Sequence, residues 1–470
     1  MSNQPNILFI ITDQQRGDCL SAEGHPVLMT PNMDTIAQKG VRFTHFYSAC
    51  PSCIAARRSM LSGKHPYTNG MVGYQDGVPW DERTTMPSVL GQHGYQTGLI
   101  GRSMHQYPPD KRFGYDMAEE NGHMGSNDYD QWLEKNGPPD NGGWFGGGIM
   151  HNDWTAKPWH LEEHLHFTNW TVNRALKFLE RRDRTAPFFL TVSFIAPHPP
   201  LQPPGYYLNR YLRTGVPDPA IGGWAEPPEG MAEGGQGLTA PNKIRLEGEA
   251  LLSTRAAYFG LINHVDDQIN RLLNGVAGID RMTGHNTIVA FTSDHGEMLG
   301  DHYMWRKSRA YEASARVPFL VRAPKRYELK AGSVVNEPTT HADIMPTLLD
   351  MADIDIPHTV EGRSLLPLLR GHEVDWREFI HIEHAPEHQA LTDGREKYIW
   401  LVQTGEEQFF DLIKDPDESN NLASIEKHSQ RVNLWRSRLV RTLEGRPEGF
   451  TDGKSLFSGR RYTAVPEVSE

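Results

Sequence analysis

Cysteine is scarce: Cys19, Cys50 and Cys53 are the only three in 470 residues, too few and odd in number for a disulfide framework. No apolar run approaches the roughly eighteen residues of a membrane-spanning helix. The longest such stretch, 7–11, is far shorter, which excludes a membrane-spanning protein. Basic residues are outnumbered, 47 Lys and Arg against 59 Asp and Glu, and the net charge of −12 argues against a nucleic-acid partner. The 44 Gly and 33 Pro follow no period, so they signal long irregular loops and not a repeat. The polar start, 1–5, has no basic segment, apolar segment or small-residue cleavage site of a secretory signal. That fits a cytoplasmic protein, or a periplasmic or secreted one whose leader has been removed.

What the chain does have is a set of short apolar runs that end in chemically capable residues. The run 6–11 ends at Thr12-Asp13-Gln14, 97–100 at Gly101-Arg102, 188–195 at Pro197-His198, and 287–291 at Ser293-Asp294-His295. Such uninterrupted runs are buried on both faces. Helix-like segments at 33–39, 170–182 and 251–273 alternate with them, which predicts an α/β fold with a largely parallel central sheet flanked by helices. Ligands of such sheets lie beyond the carboxyl ends of the strands, so Asp13, Arg102, His198, Asp294 and His295 are expected to converge there. Two segments, 107–160 and 199–242, are dense in Gly, Pro, Asn and Asp and read as long loops forming substrate walls. Shorter strand-like pieces at 379–383, 397–402 and 408–412, with a helix at 425–443, predict a smaller C-terminal α+β subdomain. The expected division is 1–371 and 372–470, with the tail from 446 either an extended arm or loose.

The sharpest local pattern is Cys50-Pro-Ser-Cys53-Ile-Ala-Ala-Arg57-Arg-Ser-Met-Leu-Ser-Gly63. A thiol followed four residues later by Arg, at the opening of a short helix stopped by Gly, places both side chains on one helical face. It also aims the helix N-terminus at an anion. The Cys-x-x-Cys spacing suits a redox pair as well, but no compact thioredoxin-like βαβ unit surrounds it. Cys53-Ile54-Ala55-Ala56-Arg57 fits the signature Cys, any residue, Pro or Ala, any residue, Arg. In this the chain resembles the formylglycine-dependent sulfatases of the alkaline phosphatase superfamily, which include carbohydrate sulfatases. Further motifs stand in family order over nearly the whole chain: Asn6-x-Leu-x-Ile-x-x-Asp13-Gln14; Thr292-Ser-Asp294-His295-Gly-Glu-Met-Leu-Gly-Asp-His302; Trp305-Arg-Lys307; Gly394-Arg-x-Lys-Tyr-Ile399; and Phe410-Asp-Leu-x-x-Asp-Pro-x-Glu-x-x-Asn-Leu422.

The resemblance implies an alkaline phosphatase-like catalytic domain and a C-terminal subdomain with an antiparallel sheet. It implies a divalent metal held by Asp13, Gln14, Asp294 and His295. Oxygen ligands favour Ca2+, whereas an imidazole is a softer ligand that suits Mn2+ or another transition ion; Mg2+ is a further candidate. A sulfate ester resists nucleophiles through its own oxygens, so a metal and cationic side chains make chemical sense. The resemblance further implies that a formylglycine-generating maturase oxidises Cys53 to an aldehyde. One hydroxyl of its hydrate attacks sulfur and the other later expels sulfate, which splits one hard displacement into two steps. Arg57 is then expected to stabilise the nucleophile, Lys307 to hold a sulfate oxygen, and His198 to act as leaving-group acid or sulfate donor. Arg102 and His302 are expected to contact substrate, and His105 to assist catalysis. The family continues Gly-Lys-x-His where this chain has Gly101-Arg102-Ser103-Met104-His105. A planar guanidinium therefore replaces a point charge, and His105 lies one residue further on. Eleven Trp suit stacking on sugar rings, so a sulfated saccharide is the expected substrate. A phosphonate monoester or phosphodiester hydrolase shares Asp13-Gln14 and Asp294-His295 and is the alternative. A non-enzymatic binder of sulfated glycans, with Cys53 unconverted, is a third reading.

Overall fold

The run that begins at Asn6 forms a strand with every residue buried, at the centre of an eight-stranded sheet. The computed structural model of the chain describes residues 4–103, 107–109, 111–121, 127–229, 232–233, 242–283 and 287–467. The sheet consists of β1 (Asn6–Asp13), β2 (Val41–Phe43), β3 (Gln96–Gly101), β4 (Met117–Glu120), β5 (Phe188–Pro197), β6 (Thr287–Ser293), β7 (Phe319–Arg322) and β8 (Ser333–Val335). Their spatial order is β8-β2-β7-β6-β1-β5-β3-β4, and only β7 runs against the rest. Helices α1 (Pro31–Gln38), α2 (Cys53–Ser62), α3 (Phe167–Arg181), α4 (Gly205–Thr214), α5 (Gly248–Thr283) and α6 (Ile344–Met351) surround it.

Alternation along β1 explains why the run has no polar interruptions. Leu8 and Ile10 enter one cluster with Met33 and Ile36 of α1, Trp170 of α3 and Ile262 of α5. Ile7, Phe9 and Ile11 enter another with Met60 of α2 and Leu348 of α6. Successive strand side chains point to opposite faces, and here both faces are covered, as the parallel α/β reading requires.

The C-terminal part forms a second sheet, an antiparallel meander of β9 (Ile380–His384), β10 (His388–Thr392), β11 (Glu396–Leu401) and β12 (Glu407–Asp411). One face packs on α7 (Ser429–Thr442) through Trp400, Phe409, Trp435 and Leu439. The other meets Tyr47, Met298 and Tyr311 of the main body. Strand β10 escapes the periodicity reading because its sequence, His-Gln-Ala-Leu-Thr, is largely polar although all five residues are buried. The tail is an extended arm: Val72 N–H donates to Ala464 O at 2.8 Å, and Phe450 and Tyr462 are buried in the α7 cluster.

The two segments read as loops contain regular structure. The first carries β4 and a helix, Asp128–Asn136, whose Asn127 side chain accepts from Asp130 N–H. The second carries α4, begun at Pro204 and buried through Tyr207, Leu208 and Tyr211. In both, Gly and Pro mark the borders of short elements and obscure what lies between them.

Two expected outcomes follow from this packing. Gly101 ends β3 at φ +104°, where an added Cβ would stand 2.0 Å from Ser193 O. Gly101→Ala should therefore lower stability by at least the ~1–3 kcal/mol typical of a strained residue; an unchanged denaturation midpoint would contradict the close strand approach. Burial pushes His166, His341 and His384 down to about 3, against about 6.5 for an unfolded His. Between these values the unfolded chain binds protons that the folded chain refuses. Stability is thus full above about pH 6.5 and falls as pH drops toward 3, by up to about 1.4 kcal/mol per unit for each His. In unfolding measured across that range, His341→Gln should make the slope shallower, and an unaltered slope would count against neutral burial of His341.

Candidate functional site

Four neighbouring parallel strands deliver their terminal residues to one place. Arg102 follows β3, His198 follows β5, Asp13 closes β1, and Asp294 and His295 follow β6. All five are buried, as the strand-end reading anticipates. Helix α2 brings its first residue, Cys53, to the same point and stops at Gly63, which adopts φ +67° and caps Ser59 O. Arg57, one turn on, faces the same way.

Arg57 is the bridge of the cluster. Its Nε donates to Asp294 Oδ2 at 2.9 Å and its Nη2 to Asp13 Oδ2 at 3.1 Å. Its Nη1 donates to Ser193 Oγ at 2.9 Å and to Arg102 O at 3.1 Å. Arg102 adds a second cation, its Nε 2.7 Å from Asp13 Oδ2. Burial alone would raise Asp13, but Arg102, His198, Arg57 and Lys307 hold its carboxyl well below the usual range. Asp294 is pushed up, by burial first and then by Asp13, because two close buried carboxylates do not both ionise freely.

Around Cys53 Sγ stand Lys307 Nζ at 3.1 Å, His295 Nε2 at 3.2 Å and Arg102 Nη2 at 3.7 Å. Burial raises a thiol, yet Lys307, His295 and Arg102 outweigh it and hold Cys53 well below its ordinary value. The surroundings are thus built for negative charge on the side chain of residue 53. Cys50 is the opposite case, a free thiol pushed up by burial and by Glu383, and no disulfide joins the two.

One carboxylate, one thiol and one imidazole beside Asp294 place ligand atoms within 4.8 Å of one another in Asp13, Cys53, Asp294 and His295. Asp13 Oδ1 is buried and has no hydrogen-bond partner, an arrangement that a cation would complete. His295 Nδ1 lies 3.0 Å from Gly296 O. A carbonyl only accepts, so Nδ1 carries the proton and Nε2 is the nitrogen available to a metal. Gln14, in a left-handed conformation at φ 72°, accepts from Lys307 Nζ at 3.1 Å through Oε1. This donor set fits a divalent ion.

Lys307 reaches the cluster from a constrained loop. Leu299, His302, Tyr303, Arg306 and Ser308 all have positive φ, a conformation that surrounding contacts must enforce. Ser308 N–H donates to Pro51 O at 3.0 Å, tying the loop to the segment just before Cys53. His198 Nδ1 lies 2.6 Å from Pro199 O, and burial, Lys307 and Arg102 push its imidazole well below the ordinary value.

Among the expected site residues, Cys53, Arg57, Arg102, His198, Lys307, Asp13, Gln14, Asp294 and His295 come together. His302 does not join them. Its Nδ1 accepts from Gly222 N–H at 3.0 Å, and its ring rests against Trp224 and Tyr311. His105 lies outside the described residues. Sequence reasoning missed Ser193, which receives Arg57, and His151, whose ring centroid is 5.0 Å from that of His198. It also gave no separate role to Glu297, although that residue stands inside the Asp294-His295-Gly-Glu motif.

Comparison with known proteins agrees with this geometry. Residues 5–354 match the sulfatase family model, and 300–444 match that of the N-sulphoglucosamine sulphohydrolase C-terminal region. An arylsulfatase of Clostridium perfringens is 41% identical, over 99% of this chain and 100% of its own length. An N-acetylglucosamine-6-O-sulfatase of Bacteroides thetaiotaomicron is 26% identical, over 98% and 90% respectively. The crystal structure of the phosphonate monoester hydrolase of Agrobacterium radiobacter superposes with a TM-score of 0.78 at 26% identity, covering 93% of this chain and 95% of that one. With both the family model and a full-length relative in agreement, this chain belongs to the sulfatase family of the alkaline phosphatase superfamily and is a sulfuric ester hydrolase.

Proposed function

We propose that this sulfatase removes sulfate from a saccharide, using a formylglycine made from Cys53 by a maturase and a divalent metal held by Asp13, Gln14, Asp294 and His295. The observation that carries the reading is the position of Cys53, first in α2 and in contact with Lys307, His295 and Arg102 at the edge of the ligand cluster. When present, the metal supplies Lewis acidity and the modified residue 53 supplies a hydroxyl nucleophile. The carboxylate and amide oxygens favour Ca2+, the imidazole of His295 suits Mn2+ as the alternative, and Mg2+ is the third candidate.

The chain's own residues have distinct tasks in this reading. Arg57 donates to four acceptors, so it fixes the two carboxylates. Asp294 Oδ1 accepts from Gln14 N–H and His295 N–H, while Asp13 Oδ1 is left without a hydrogen bond, where a metal would be held. Lys307, a rotatable point charge, meets a sulfate oxygen. Arg102 offers a planar fork in place of the point charge that the family pattern implies there. His198 donates Nδ1–H to Pro199 O, so its neutral form turns a lone pair on Nε2 toward substrate. The negative charge of a bound ester offsets Lys307 and Arg102, which lifts the imidazole toward protonation and lets Nε2 donate to the leaving oxygen. His105, beyond Arg102 in the chain, remains a candidate catalytic group.

Support for a saccharide comes from the Bacteroides thetaiotaomicron relative, an N-acetylglucosamine-6-O-sulfatase. A cavity of about 340 Å3 between the main body and the C-terminal sheet is lined by Trp224 and Tyr311 together with Glu226, Lys243, Arg309 and Glu387, and none of the residues gathered around Cys53 lines it. We place the domain boundary near residue 372. The fold shared with the phosphonate monoester hydrolase favours phosphonate monoesters or phosphodiesters as the second reading.

The test combines mass spectrometry of the peptide containing residue 53 with turnover of a sulfate ester. Cys53→Ala should lose at least about a thousandfold in rate, on the scale of removing a covalent nucleophile, with an unchanged unfolding transition. Sustained turnover by this variant would remove the formylglycine mechanism.

A further inference from the structure

Glu297 lies in the loop after β6 and is 3% exposed. Its two carboxylate oxygens are shared between the strand ends and the loop of Lys307. Oε2 accepts from Gln14 Nε2. Oε1 accepts from Leu299 N–H at 2.9 Å and from Arg306 N–H. One side chain thus ties the residue after β1 to the backbone that presents Lys307.

The amide of Gln14 sits between two groups that each accept only one orientation. A carboxylate only accepts and an ammonium only donates. With Glu297 on one side and Lys307 Nζ 3.1 Å from Oε1 on the other, Nε2 must face Glu297 and Oε1 must face Lys307. An amide alone chooses its orientation from such partners. We propose that Glu297 is a positioning residue that locks the Gln14 amide with its oxygen toward the metal. The inference rests on the reading of Gln14 as a metal ligand.

In Glu297→Gln, one oxygen still serves the backbone N–H groups, but an amide NH2 now faces Gln14. Gln14 must then flip and turn its own NH2 toward the metal and Lys307. The loss expected for an outer partner of a metal ligand is about 10–100-fold in metal affinity.

The experiment is calorimetric titration of Ca2+ and Mn2+ into chelator-stripped full-length protein, without substrate, on a double-mutant cycle. Binding to the unsubstituted protein sets the baseline, and its absence would sink the metal cage itself. Given that baseline, Gln14→Ala and Glu297→Gln should each weaken binding at least tenfold. The combined variant should be no weaker than Gln14→Ala alone, within about twofold, because there is no amide left to orient. An undiminished affinity in Glu297→Gln overturns the proposal. The same loss from Glu297→Gln in both backgrounds also overturns it, since a role through charge or general structure would persist without Gln14. Should Glu297→Gln fail to fold, the exchange Gln14→Glu with Glu297→Gln decides: it restores a donor facing an acceptor and should fold and bind within threefold of the baseline. Failure of the exchange to fold or to bind overturns the assignment.

Discussion

Two carboxylates, Asp13 and Asp294, are buried side by side at the ends of adjacent parallel strands, and their mutual repulsion is the constraint on which the site depends. Burial in low dielectric makes such a pair costly unless cations and hydrogen bonds compensate it. Arg57 touches both, at 3.1 and 2.9 Å, and Arg102 touches Asp13 at 2.7 Å. This explains why a helix begins at Cys53: Arg57 must project from its first turns, and the same geometry delivers Cys53 to the cage. An oxygen of Asp13 still has no partner, so the network is complete only with a further positive group.

The compensation is asymmetric, and the asymmetry suits sulfate-ester cleavage. Arg57 is immobilised on the carboxylate side, whereas Lys307, Arg102 and His295 face residue 53. A negative nucleophile and a negative ester both enter a region already biased toward anions. Fixing Lys307 there requires a loop with five non-glycine residues in left-handed conformations between 299 and 308. Glu297 beneath that loop, and Pro51 beside it, supply contacts that enforce it.

Much of this was legible in the sequence for specific physical reasons. Strands buried on both faces show as continuous apolar runs, so β1, β3, β5 and β6 and their reactive ends could be read directly. Cys53 and Arg57 lie one turn apart, and their relation is local. Ser193 and His151 were invisible because their partners, Arg57 and His198, come from other elements. His302 shares a motif with Asp294 and His295, but the left-handed turns between them carry it to Trp224 and Tyr311 instead. Strand β10 and helix α4 were obscured by polar or Gly- and Pro-rich composition, which reports surroundings and borders poorly when tertiary packing does the stabilising.

The central claim is that this anion-biased cage acts on sulfate esters through a matured Cys53. Its most direct test uses protein produced together with a formylglycine-generating enzyme, given matched sulfate-ester and phosphonate-ester substrates with the same leaving alcohol. Released sulfate and released alcohol are both measured. The account predicts a higher kcat/KM for the sulfate ester, with one sulfate per alcohol. A preference for the phosphonate ester would contradict it and recast Lys307 and His198 as phosphoryl contacts.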